Sequence, residues 1–283
     1  MEWLSGDWLQ EHKLPVGETI EGGFEWFGRT FAGALDAFSR GAEWLIETIV
    51  GVLQGPPALV TVAVLVGIVY LVRRSIPVAL FALGGLLLVI NLGYWEETTD
   101  TLGLVIAATA SCMAIGVPLG IAAARRPWVY AVLRPLLDLM QTIPTFVYLI
   151  PVLLFFGLGV VPGLVATVVF ALPAPIRFTR LGIVSTPPAL LEAARAFGAS
   201  TWQRLLKVEL PHARPQILAG LTQCIMLSLS MVVIAALVAS PGLGVPVLRA
   251  LNSSNRAAGF EAGLAIVVLA IVLDRLFRAE RRR

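Results

Sequence analysis

An all-α membrane protein of about seven transmembrane helices is the fold class that this sequence predicts. Three observations carry the prediction. Hydrophobic residues make up 58% of the 283 and charged residues only 14%, with a mean hydropathy of +0.85. A soluble domain needs more polar side chains than that to cover its surface. The apolar residues also fall in long unbroken runs, not in the strict alternation of β-barrel strands. Finally, the basic residues gather between alternate runs, as they do when a chain threads a bilayer.

Seven runs reach the roughly 20 residues that a helix needs to cross a bilayer core. They lie near Val52 to Val72, Ile76 to Trp95, Thr101 to Ala124, Leu136 to Gly157, Val161 to Val184, Gln216 to Ser240 and Ala258 to Phe277. Placing the C-terminus in the cytoplasm puts sixteen of the 21 Lys and Arg residues on the inner side. Acidic residues show the reverse bias. Nine precede residue 51, and Glu96, Glu97 and Asp100 crowd one short outer loop. The expected arrangement therefore has the N-terminus outside and the C-terminus inside. The pI near 9.2 reflects inner-side anchoring and not nucleic-acid binding.

Residues 1–51 form a separate extracytoplasmic region ahead of a transmembrane domain at 52–283. No run in the first 50 residues is long enough to span, and no basic start with a cleavage site marks a signal peptide. Between Phe31 and Leu53, apolar residues recur at helical spacing: Phe31, Leu35, Phe38, Ala42, Leu45, Ile49 and Leu53. Asp36, Arg40, Glu43 and Glu47 fall mostly elsewhere on the wheel. Trp26 and Trp44 suit a membrane interface. The pattern predicts an amphipathic helix lying on the outer leaflet. A helix packed on a soluble partner is the other reading.

One inner loop, 185–215, reads like a soluble protein: "EAARAFGASTWQRLLKVELP" runs from Glu192 to Pro211. Thr186 is a candidate cap and Pro187 fits a first helical turn. Leu190 to Phe197 predicts a helix, which Gly198 ends in the left-handed conformation. Ser200 to Gln203 reads as a capping box opening a second short helix. Pro211 is expected to stop that helix and Pro215 to begin the next span. Ala193, Ala194 and Ala196 let a partner backbone approach closely. Leu191 and Phe197 are awkward in water. A short helix of this kind suits docking in a groove, where a solvated linker is the plain alternative.

These residues resemble the EAA motif of permease subunits of ATP-binding-cassette importers. The motif runs E-A-A, three residues, G, nine residues, I, one residue, L-P. Here Glu192, Ala193, Ala194, Gly198, Leu210 and Pro211 match it, with Val208 in place of isoleucine. The resemblance extends over roughly Gly93 to Leu276. The stretches "MQTIPTFVYLIPVLLFFGLG", "SMVVIAALVASPGLG" and "GFEAGLAIVVLAIVLDR" are similar to the glycine betaine, proline betaine and choline importer permeases. Ser240-Pro241 departs from relatives, which tend to carry glycines there. The resemblance implies a type I importer permease fold in a bacterial inner membrane. It implies two permease copies around one pathway, cytoplasmic ATPase subunits docked on the motif, and an extracytoplasmic binding protein that delivers the solute. ATP is then bound by the ATPase, with no cofactor in this chain. Glu192 would anchor the coupling helix and Gly198 would set its angle.

Other residues carry two readings each. Phe146 and Tyr148, with Trp95, could line a cation path or simply pack the spans. Pro173 and Pro175 could form a gate or a static kink. Gly116 to Gly120, "GVPLG", suits close helix packing or a bend. Asp138 and Asp274 are carboxylates near span ends, and Arg275 and Arg278 suggest an ion pair for Asp274. Cys112 and Cys224 read as core residues. His12 and His212 stand alone, and no HExxH, GxSxG or GxxxxGK[ST] motif points to an enzyme. A secondary transporter or a channel is the rival class. The former calls for inverted repeats or deep ionisable residues, and neither is clear.

Overall fold

The computed structural model describes residues 15–277, and every regular element among them is helical. In chain order these are α1 (Val16–Thr30), α2 (Ala32–Gln54), α3 (Ala58–Arg73), α4 (Ile76–Asn91), α5 (Trp95–Arg125), α6 (Pro127–Thr142) and α7 (Leu149–Phe156). They continue with α8 (Val160–Ala171), α9 (Pro173–Val184), α10 (Pro188–Ala196), α11 (Thr201–Arg204), α12 (Leu210–Ala235), α13 (Gly244–Asn252) and α14 (Arg256–Phe277).

Four helical stretches are long and apolar enough to cross a membrane: Trp95–Arg125, Val160–Val184, Thr201–Val238 and Arg256–Phe277. Each contains or overlaps one of the expected spans. Each of two bent helix pairs, counted as one, adds a further span, and the shorter apolar helix α4 (Ile76–Asn91) lies where the remaining expected run was placed. The expected straight span Leu136 to Gly157 is one of the bent pairs and needs correction. It breaks at Ile143, whose backbone is extended before Pro144. A residue preceding proline is driven out of the helical region. The two arms meet at 108°, and the Tyr148 hydroxyl donates to the Met140 carbonyl across the bend. The run Val52 to Val72 breaks likewise at Gly55, Pro56 and Pro57, where α2 and α3 meet at 101°. The next helix, α4, is a 16-residue apolar segment packed on α14, with Gly85 against Val268.

The amphipathic helix is present as α2, but its apolar face is seated on the bundle. Ala42 and Ile46 share a core with Leu104, Ala107 and Ala108 of α5 and Val161 and Leu164 of α8. Gln54 donates to Thr99 and Asp100 at the start of α5, and Val50 meets Gly103. So α2 runs antiparallel along α5. Trp44, on its opposite face, is exposed. The shorter α1 rests on α7 through Phe24 and Phe27 against Phe155. Met1, Lys13 and the other residues before position 15 lie outside the described residues, as does Arg278.

Small residues set the closest contacts. Helix α9 lies between α5 and α12. On one side Gly116 faces Pro175 and Gly120 faces Thr179 and the Ile176 carbonyl. On the other, Gly182 meets Ala213 and Gly220 meets Phe178. The close-packing reading of "GVPLG" is the one the geometry supports. Cys112 and Cys224 are free and buried in the same core cluster as Ala171. The Ser240-Pro241 loop is also tightly packed: Ser240 abuts Gly163, and the Leu243 N–H donates to Thr101 Oγ1 at 2.8 Å.

Candidate functional site

The 185–215 loop forms a platform at the end of the bundle where α5 finishes and α12 begins. Its first helix, α10, starts at Pro188, one residue later than expected. Pro187 is the cap position, and no side chain caps it. The expected cap, Thr186, is instead buried with its hydroxyl unpartnered. Gly198 ends α10 as expected, with φ +72°. The Gly198 N–H bonds the Arg195 carbonyl and the Ala199 N–H bonds the Ala194 carbonyl, both at 2.9 Å. That pair of bonds satisfies carbonyls which the end of a helix leaves open. The capping box is present in full: Ser200 Oγ accepts from the Gln203 N–H, and Gln203 Oε1 accepts from the Ser200 N–H.

Pro211 does not stop the second helix. Helix α11 passes through a π turn at Leu205–Glu209 directly into α12, so residues 201–238 are one continuous stretch. The Leu210 N–H reaches back five residues to the Leu205 carbonyl. Proline has no N–H and its ring crowds the carbonyl four residues back. A π turn widens the helix just there, so Pro211 sits in the first turn of α12 without breaking it. Pro215 lies inside the same helix.

The motif residues are displayed and not buried. Glu192 and Ala193 are exposed, Ala194 and Leu210 are half-buried, and Pro211 is exposed. Glu192 forms no ion pair with another described residue. The same loop carries apolar groups turned to the outside: Phe197 is 91% exposed and Trp202 70%, with Leu190 and Leu206 also open. Large exposed apolar side chains on a loop that also displays a carboxylate are suited to a partner surface.

Beneath this surface lies a set of residues that the motif did not single out. Glu209 is only 5% exposed. It accepts from Arg204 Nε at 2.8 Å and from Arg125 Nη2 at 3.2 Å. Arg125 Nη2 also donates to the Thr201 carbonyl at 3.0 Å. A sequence clue existed. Glu192 and Glu209 are the two carboxylates in 185–215, and Glu209 fills the one variable position between Val208 and Leu210.

The pathway candidates are not brought together. Phe146 is exposed, whereas Tyr148 is buried among Leu149, Ala166, Met231 and Val238. Pro173 and Pro175 are buried, and Pro175 packs on Gly116. Helices α8 and α9 run through the two prolines as one 25-residue stretch, which describes a packed junction. Asp138 accepts from Arg177 Nη2 at 2.6 Å, and Arg177 Nη1 donates to Gln141 at 2.5 Å. Arg180 lies 3.5 Å from the Tyr130 ring centroid. These contacts tie α6 to α9 through the chain's own cations.

Residues 116–283 match the family described as "Binding-protein-dependent transport system inner membrane component". The glycine betaine transport system permease protein OpuAB of Bacillus subtilis is 44% identical over 93% of this chain and 93% of its own length. The glycine betaine/carnitine permease GbuB of Listeria monocytogenes is 42% identical over 96% and 94%. The glycine betaine/proline betaine permease ProW of Escherichia coli is 41% identical over 95% of this chain and 76% of its own. Among solved structures, the inward-facing MetNI methionine ABC transporter superposes with a TM-score of 0.57 at 23% identity, covering 63% of this chain and 92% of that one. That likeness shows the type I importer permease fold. The chain belongs to the inner-membrane components of binding-protein-dependent transport systems, as a multi-pass permease subunit of an ATP-driven importer.

Proposed function

We propose that this permease carries a small quaternary amine, of the kind represented by glycine betaine and proline betaine, into the cytoplasm. The observation behind the substrate class is similarity over nearly the full chain to three permeases named for glycine betaine. Choline has weaker support, from a permease named for glycine betaine, carnitine and choline at 34% identity. Two copies of the chain form the pathway. ATP is bound by the partner ATPase, which docks on the platform around Glu192, Ala193, Ala194 and Gly198. Supporting that docking site are Glu192, exposed and without an ion pair among the described residues, and the open Phe197.

A quaternary ammonium offers no hydrogen-bond donor, so tight capture needs an aromatic cage. Tyr148 is buried with its hydroxyl committed to Met140, so it is poorly placed to serve as one wall. Selectivity therefore rests mainly with the binding protein, and the permease supplies a weak path that releases solute quickly. Reconstituted with its ATPase and binding protein, the permease is expected to drive ATP-dependent uptake of glycine betaine. The isolated permease is expected to show no saturable micromolar binding of either betaine. Uptake of an amino acid or sugar and of neither betaine refutes the substrate class. Micromolar binding by the permease alone refutes the division of labour.

The basic bias places the platform in the cytoplasm and the N-terminus outside. A reporter at the N-terminus should read extracytoplasmic and one at the C-terminus cytoplasmic. Two ends on one side would overturn this arrangement.

A further inference from the structure

We infer that Glu209 is a positioning residue for coupling: with Arg125 and Arg204 it locks the ATPase-docking platform to the end of α5. This rests on the proposed docking at 185–215 and adds how displacement leaves that loop. Three features support it. The carboxylate is buried yet answered by two guanidinium groups from different elements, 2.8 and 3.2 Å away. Arg125 stands 84 residues from Glu209 in sequence, so the lock bridges two helices and not one local turn. Arg125 also holds the Thr201 carbonyl, so it grips the stretch Thr201–Glu209 at both ends.

The backbone between these anchors is the π turn Leu205–Glu209. A π turn lacks the regular bond register of an α-helix and is its soft point. Unbraced, it would absorb a push on α10 as local bending. The buried charges prevent that. Moving Glu209 from its partners would leave uncompensated charge away from water. Displacement of the platform is therefore passed to α5. That helix packs on α9 through Gly116 and Gly120, so the movement reaches the centre of the bundle.

The test uses the permease reconstituted with its ATPase and binding protein. Glu209→Gln keeps the shape and removes the charge. Arg125→Gln leaves Glu209 its Arg204 partner and is the second variant if the first assembles poorly. Both are expected to hydrolyse ATP while uptake per ATP falls about tenfold, equal to about 1.4 kcal/mol of coupling. The double variant should be no worse than either single one, and Arg125→Lys should lie between. Unchanged uptake per ATP refutes the lock. Uptake and hydrolysis falling in parallel also refutes it, by marking a residue that serves only folding. A second readout needs no solute. Spin labels at Arg126→Cys and Lys207→Cys should keep one narrow separation when ATP is added and broaden with Glu209→Gln. Equal widths refute the lock, whatever the solute proves to be. Absence of betaine uptake by the unaltered complex refutes the substrate reading alone.

Discussion

Gly120→Leu is expected to leave little folded permease in the membrane. A Cβ at this position would stand 2.6 Å from Thr179 Cβ and 2.8 Å from the Ile176 carbonyl oxygen. The first is attached directly to the backbone of α9 and the second is part of it, so no side-chain rotation clears the site. Helix α9 has no room to retreat, because Gly182 and Gly220 hold it equally close to α12. Interiors are packed at crystal density, and adding a few carbons to a filled core costs about 1–3 kcal/mol, occasionally more. Leucine brings four carbons to a position already closed to the first. A loss at or above the top of that range is expected. Gly120→Ala should be milder in degree but still destabilising. Gly67→Leu is the control, since no atom lies within 4 Å of its added Cβ and it is equally apolar. The measurement is monodisperse yield after extraction, with the thermal midpoint of what survives. Equal yields for the Gly120 and Gly67 leucine variants would refute the close-packing account.

What was legible in the sequence follows from how local each signal is. The capping box at Ser200 and Gln203 and the left-handed Gly198 depend on residues within one turn of each other, and both formed as read. The long runs behind α5, α12 and α14 depend on bulk hydropathy, and they too stand. The misses share another cause. Ile143 and Pro144 are apolar enough to pass through a hydropathy window, yet the geometry of the Ile-Pro bond turns the chain by 108°. Pro211 obeys the breaker rule only in an α register, and a π turn next to it removes the conflict. Thr186 has the right side chain for a cap but sits one position too early, because Pro188 and not Pro187 opens the helix. For α2, periodicity gave the correct face but not what covers it. Ala42 and Ile46 meet residues about 60 to 120 positions away, a pairing no local pattern carries. The lock at Glu209 is of the same kind. Its carboxylate was visible within the motif, while its partner Arg125 belongs to a different helix.

The second large effect is expected at the platform itself. Glu192→Ala with Phe197→Ser should abolish ATPase binding while leaving the permease folded and inserted. Both side chains are exposed, so their removal opens no cavity and strands no buried partner. Their value arises only on docking. Burying a phenylalanine side chain contributes about 1.5–3 kcal/mol, and a hydrogen bond to a charged group about 1.5–3 kcal/mol. If the two act independently, the loss is about 3–6 kcal/mol, more than a hundredfold in affinity. The single variants should each lose roughly tenfold or more, which tests the independence. Trp44→Ala serves as the matched control, because that exposed aromatic lies on α2, whose buried face packs on the first half of α5 and on α8. The measurement is a binding titration of the ATPase against permease held in nanodiscs, with thermal midpoints alongside. Unaltered binding by the double variant would remove α10 from the docking surface. A lowered thermal midpoint would show that Glu192 and Phe197 brace the permease, contrary to their exposure.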